Sequence, residues 1–128
     1  MIPPSDRRYS RSHIWALPVS GGKIRMGLTH VPGRFLGDAV SVGLPNRDTA
    51  IAAGEPIGLV GSSLTVFEIV SPLTGSVVDA NSVAEIVPRN VTRDPYAEGW
   101  LLEITPSDCG EMDFLLSADD YEKYSGEG

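Results

Sequence analysis

The chain has 128 residues, 41% of them hydrophobic, which suits one globular domain with a proper core and leaves too little for two independent ones. Its formal charge is −7, with 10 Lys and Arg against 17 Asp and Glu. That balance argues against a nucleic-acid groove or an anionic membrane surface, both of which need clustered cations, and favours basic protein partners.

The lone cysteine, Cys109, excludes an internal disulfide and a multi-cysteine metal site. No apolar run approaches the roughly 18 residues of a membrane span. The start, MIPPSDRRYS, lacks a secretory apolar stretch, so a cytoplasmic location is expected. The Asn90-Val91-Thr92 sequon then reads as a chance match. Fourteen Gly and ten Pro punctuate the chain often enough for many short strands. Residues 1–8 and 125–128 are expected to be flexible ends around a domain over 9–124, with Arg7, Arg8 and Arg11 as solvated charges.

Along the chain, Trp15, Leu17 and Val19 alternate with Ala16 and Pro18; after Ser20-Gly21-Gly22-Lys23, Ile24, Met26 and Leu28 alternate with Arg25 and Gly27. Period two predicts a β-hairpin with one buried face. Pro18 has no N–H, which places it at an edge. After Leu36-Gly37-Asp38, a strand is predicted with Val40, Val42 and Leu44 on one face, closed by the turn-forming Pro45-Asn46-Arg47-Asp48. Gly58 to Gly75, GLVGSSLTVFEIVSPLTG, reads as two short strands meeting at an apex near Ser63-Leu64-Thr65, then a turn leading to a strand with Val77 and Val78. Asn81 or Ser82 can cap a short helix over Val83 to Val87, which Pro88 limits. Trp100, Leu102 and Ile104 mark the last strand. Met112, Leu115 and Leu116 stand at helical spacing, and Ser117 can cap a helical piece through Tyr121 to Lys123 that lies across the sheets.

Four stretches together resemble the glycine cleavage system H-protein family, of the biotinyl/lipoyl carrier fold. They are His13-Ile14-Trp15, Leu36-Gly37-Asp38 before a strand ending in Leu44-Pro45, the apex hairpin with its Ser71-Pro72 turn, and Asp94-Pro95-Tyr96-Ala97-Glu98-Gly99-Trp100. The match runs from Tyr9 to about Tyr121 with almost no insertions. The resemblance implies a mainly β barrel-sandwich hybrid of two antiparallel sheets with short helices and a C-terminal helical segment. It also implies a short helix over Thr29 to Phe35, which Pro32 and Gly33 reduce to about one turn. In that family the apex carries a lysine bearing a lipoyl arm, which takes an aminomethyl group from a pyridoxal-phosphate decarboxylase to a folate-dependent transferase and is reoxidised by a flavoprotein. Here the lysine position falls on Leu64, and the family's upstream glutamate position falls on Gly61. Leucine offers no amine, so no lipoyl cofactor is expected.

The expected role is therefore a non-catalytic interaction module, monomeric on its own. Its partner would be a pyridoxal-phosphate or aminomethyl-transferring enzyme, in glycine cleavage or a specialised pathway. The partner-binding candidates are Leu64 with Ser63, Thr65, Val66 and Phe67, an apolar apex suited to the mouth of a lined tunnel. The alternatives are a carrier modified elsewhere or holding a ligand non-covalently, and a new enzyme on the same frame. For the first, Lys23 and Lys123 lack the strand-apex context, and Ser62, Ser63 and Thr65 are what a tight turn selects. For the second, His13 and His30 share no metal-ligand spacing with Cys109 or any carboxylate pair. Asp94, Glu98, Asp119 and Asp120 suit a turn and a helix start.

Overall fold

The computed structural model describes residues 2–126, with the Cys109 side chain outside the description. Among the described residues, nine strands and four short helices follow in the order β1 (Arg8–Tyr9), β2 (Ile14–Val19), β3 (Lys23–Leu28), α1 (Val31–Leu36), β4 (Ala39–Gly43), β5 (Ala50–Ile51), β6 (Pro56–Ser62), β7 (Val66–Val70), β8 (Gly75–Ala80), α2 (Ser82–Ile86), α3 (Asn90–Arg93), β9 (Leu102–Pro106) and α4 (Ala118–Ser125). A six-stranded sheet runs β1-β2-β3-β9-β8-β5 and a three-stranded sheet β4-β6-β7. Every named pairing is antiparallel. The fold is the mainly β, two-sheet arrangement that the sequence leads one to expect. No described helix is long and apolar enough to cross a membrane.

The main core lies between the sheets. It takes Ile14 and Ala16 from β2, Ile24, Met26 and Leu28 from β3, Val60 and Ile69 from the hairpin, and Val77 and Ile104 from β8 and β9. Alternation thus assigns β3 correctly and β2 only in part, because β2 is buried on both sides. Trp15 and Leu17 belong to a second cluster with Tyr9 and Tyr121. Pro18 lies past the end of β1, which reaches only Trp15 and Ala16, so its missing N–H leaves no ladder bond unmade.

Trp15 organises that second cluster. Its cross-strand partner is Gly27, and a Cβ on Gly27 would stand 2.7 Å from the indole ring. Only a residue without a side chain lets the ring lie there. Trp15 Nε1 donates to the carbonyl of Pro95 at 2.9 Å, and the Arg7 guanidinium lies 4.6 Å from the ring centroid. Arg7 also donates to the Tyr96 carbonyl at 3.1 Å. Its side chain is only 9% exposed, so it is packed and not the solvated charge expected. Asn81 caps α2 through Val83 N and donates to the carbonyls of Glu98 and Trp100. One buried side chain thus ties the 94–100 motif to the helix.

Two local expectations need correction, and one element is new. Val40 does not join Val42 and Leu44 on an inward face, for it is 61% exposed. The register between β4 and β6 shifts between Ala39 and Ser41, and such a bulge moves the chain before it onto the other phase of the pleat. Met112, Leu115 and Leu116 do not share one helical face. Cys109–Phe114 is a 3-10 segment, and Leu116 pairs with Tyr9 in an isolated bridge. After Pro88 the chain re-forms a turn of helix, α3, that no pattern in the sequence announces.

Ser117 caps α4, its Oγ accepting from Asp120 N at 3.2 Å. Tyr121 stacks on Tyr9 with centroids 4.9 Å apart, so the helix sits against the β1 edge. The Tyr121 hydroxyl is hydrogen-bonded to His13 Nδ1 at 2.7 Å and to Thr29 Oγ1 at 2.6 Å. Burial, and secondarily His30, holds His13 below its ordinary pKa.

Gly27→Ala is expected to cost about 1–3 kcal/mol by overpacking against Trp15. Gly43→Ala, with nothing within 4 Å of its added Cβ, should stay within about 0.5 kcal/mol; paired denaturant melts compare them. A depressed histidine pKa means the unfolded chain binds the extra proton first. Stability from His13 is therefore full above about pH 6.5 and is lost as pH falls from there through the folded value. Tm should drop over that range, and His13→Asn, which tolerates the positive φ of 67°, should flatten the drop.

Candidate functional site

The apex of the β6–β7 hairpin is built by Ser62. Its backbone N–H donates to the Thr65 carbonyl at 2.9 Å. Its Oγ accepts from Leu64 N at 3.1 Å and Thr65 N at 3.2 Å. The turn therefore closes through backbone groups and one hydroxyl, with no demand on the side chain at position 64. This assigns Ser62 the turn-forming role that small polar residues suggest. Leu64 is left 75% exposed, with Ser63 and Thr65 exposed beside it.

Of the candidates proposed around Leu64, Val66 joins it at the surface and Phe67 does not. Val66 pairs with Gly61 and Phe67 with Val60, so by the two-residue period of a strand they face opposite sides. Val66 is exposed. Phe67 turns inward onto the main core, with its ring 5.9 Å from that of Phe35.

Gly61 is buried and lies between Val66 and Ser41. A Cβ there would meet Ser41 Oγ at 2.6 Å. The β4 hydroxyl therefore occupies space that a larger side chain at 61 would need, and rotation of Ser41 would clear it. Pairing across strands cannot be read from the hairpin alone, which is why the sequence gives no hint of Ser41. At the far end of β7, Ser71 Oγ donates to the Leu73 carbonyl at 2.6 Å. Leu73 is fully buried, so the Ser-Pro-Leu-Thr-Gly turn anchors the second arm in the core.

Beside the apex is an open cavity of about 370 Å³ lined by His30, Gly33, Arg34, Gly37, Asp38 and Thr92. Gly37 has φ 73° and ψ −145°, a conformation essentially restricted to glycine. A Cβ there would lie 4.0 Å from Leu64 Cδ1. The leucine thus leans toward the cavity's rim. Arg93 donates to both carboxylate oxygens of Asp38, at 2.9 and 2.6 Å, and that guanidinium holds the Asp38 pKa below the usual carboxylate range. Thr92 Oγ1 accepts from Ala39 N at 3.1 Å. The unannounced helix α3 is therefore what fixes the start of β4 next to the apex.

Of the other polar residues weighed from the sequence, His30 reaches the cavity lining, and the rest serve the framework away from it. His30 Nδ1 is hydrogen-bonded to the Tyr96 hydroxyl at 2.7 Å, and His13 to Tyr121. Asp94 Oδ2 accepts from Glu98 N at 3.1 Å. Asp119 and Asp120 lie in the first turn of α4. Lys23 Nζ lies 3.8 Å from Glu103 on the six-stranded sheet, and Lys123 is in the last turn of α4.

Over residues 7–128 the sequence matches the glycine cleavage H-protein family. The glycine cleavage system H protein of Bacillus subtilis is 40% identical over 127 residues, covering 99% of each chain. One from Thermus thermophilus is 38% identical over 94% of this chain and 93% of its own. In three dimensions, a crystal structure of a glycine cleavage system H protein from Mycobacterium marinum matches with a TM-score of 0.88 and 36% identity, covering 97% of this chain and 99% of that one. Sequence motifs, two-sheet architecture and near-complete coverage all agree, and the chain belongs to the glycine cleavage H-protein family.

Proposed function

We propose that this family member carries no lipoyl group and works as a non-catalytic docking module. Its partner would be an enzyme of glycine cleavage, a related aminomethyl-transferring enzyme, or a counterpart in a specialised pathway. The observation that carries the reading is Leu64 at the tip of an intact apex turn. Amide attachment of a prosthetic group needs a nucleophilic amine, and a leucine side chain supplies hydrocarbon only. Both lysines of the chain, Lys23 and Lys123, lie outside the hairpin. The site keeps the presentation and has exchanged the chemistry.

Hydrocarbon at a protruding tip has one favourable use. Complete burial of a leucine side chain in a partner is worth about 1.5–3 kcal/mol, which is the scale of an interface hot spot. Val66 extends the apolar tip along the outer face of β7. Because the backbone of residue 64 is held through Ser62, the side chain can be exchanged without losing the turn.

Leu64→Asp is expected to weaken binding to the pyridoxal-phosphate decarboxylase or the aminomethyltransferase of the same cell at least tenfold, or about 1.4 kcal/mol, with stability within about 0.5 kcal/mol of the parent. Calorimetric titration with a melt of each variant measures both. Unchanged affinity contradicts the reading. Leu64→Lys, offered to a lipoate-protein ligase, should acquire a lipoyl-sized mass, and adding Gly61→Glu should speed the reaction once Ser41 rotates away.

A further inference from the structure

Next to Leu64 the surface changes sign. In a chain of net charge −7, Arg34 on α1, Arg89 at the N-cap of α3 and Arg93 at its end converge on one corner. Their convergence is fixed by contacts: α1 meets α3 where Gly33 faces Thr92, whose carbonyl would lie 3.4 Å from a Cβ on Gly33. Arg34, Thr92 and Asp38 line the same cavity. Arg93 is engaged by Asp38. Even with Arg34 set aside, two guanidinium groups, Arg89 and Arg93, against that one carboxylate leave the corner at about +1. Among the described residues, the neighbouring elements carry Glu85 on α2 and Glu68 on β7, both exposed, and Asp94 after α3, which is occupied by Glu98 N.

Exposed apolar side chains flank the cations. Phe35 is next to Arg34, Val40 follows Asp38 by two residues, and Ile86, on a helix that packs against β4, is 76% exposed. Arginine beside exposed aliphatic and aromatic groups is the composition of a protein interface core and its rim. Charge complementarity then specifies the other side.

We infer that the docking surface runs from Leu64 across Gly37 to the Arg34/Arg89/Arg93 corner, and that the partner presents an apolar socket flanked by carboxylates. This rests on the docking reading above and adds the chemistry of the partner's surface. Leu64 supplies the buried anchor, while the guanidinium groups steer and orient the approach, the usual division between apolar anchor and charged rim. Asp38 sets the charge of the corner through Arg93. A long-range attraction of this kind is screened by salt, with a Debye length near 10 Å at 0.1 M.

The test is titration of the purified decarboxylase and aminomethyltransferase of the same cell with parent protein, Arg89→Glu, Asp38→Asn and Leu64→Asp, at low and high NaCl. The expected result is parent binding that weakens as salt rises, an Arg89→Glu affinity lower by about three- to tenfold at low salt, and convergence of the two at high salt. Asp38→Asn, which adds one net positive charge at nearly constant shape, should tighten binding at low salt, an effect opposite to that of a merely damaged surface. Binding that depends on Leu64 but not on salt or on either charge variant overturns this inference and leaves the docking reading intact. Binding by neither enzyme, or binding indifferent to Leu64→Asp, overturns both.

Discussion

An indole ring lying flat on a glycine is the contact on which most of this structure depends. Trp15 can occupy its place only because Gly27 has no side chain, and once there its Nε1 reaches the Pro95 carbonyl. That bond brings the 94–100 loop onto the first hairpin. The loop in turn delivers Tyr96 to His30 and the Glu98 and Trp100 carbonyls to Asn81. Arg7 packs over the same ring. The most conspicuous polar and aromatic motif residues, which invite a catalytic reading, are thereby spent on holding a second core together. Buried polar groups need partners, and here each motif supplies the partner of another.

That second core matters for function because of what it leaves free. With α3 fixed by the loop behind it, Arg93 and Thr92 are in position to hold Asp38 and the start of β4. β4 is the neighbour of β6, so the hairpin apex stands on a strand fastened at both of its edges. A tip held this way loses little conformational freedom on binding, which lowers the cost of association. The same rigidity would serve a swinging arm or a leucine anchor equally well. The fold alone therefore does not decide between them, and the proposed docking role rests on the side chain at 64.

Much of this is legible in the sequence. The alternation of Ile24, Met26 and Leu28, the hairpin with its apex, the Asn81 and Ser117 caps and the family motifs all find their places, because each depends on neighbours close in the chain. The misses share a cause as well. Trp15 faces a second core because a C-terminal tyrosine, Tyr121, closes it from the far end of the chain. Val40 faces outward because pairing with β6 puts a bulge in β4. α3 re-forms after Pro88 because Val91 finds a place in the main core. At the site, Leu64 and Val66 can be read as the exposed tip, but Phe67 lies on the opposite face from the one its neighbours suggest. Asp38 shows in the sequence only as the end of the Leu36-Gly37-Asp38 motif, and Ser41 and Arg93 not at all, since strand register and helix docking bring them together.

The most direct measurement is the intact mass of the protein purified from its native cells, with peptide mapping of any excess. An account in which Leu64 replaces a covalent arm requires the mass of the bare polypeptide. A lipoyl-sized addition, or any stoichiometric group mapped to Lys23, Lys123, Ser63 or Thr65, would contradict it and restore a carrier role at the residue identified.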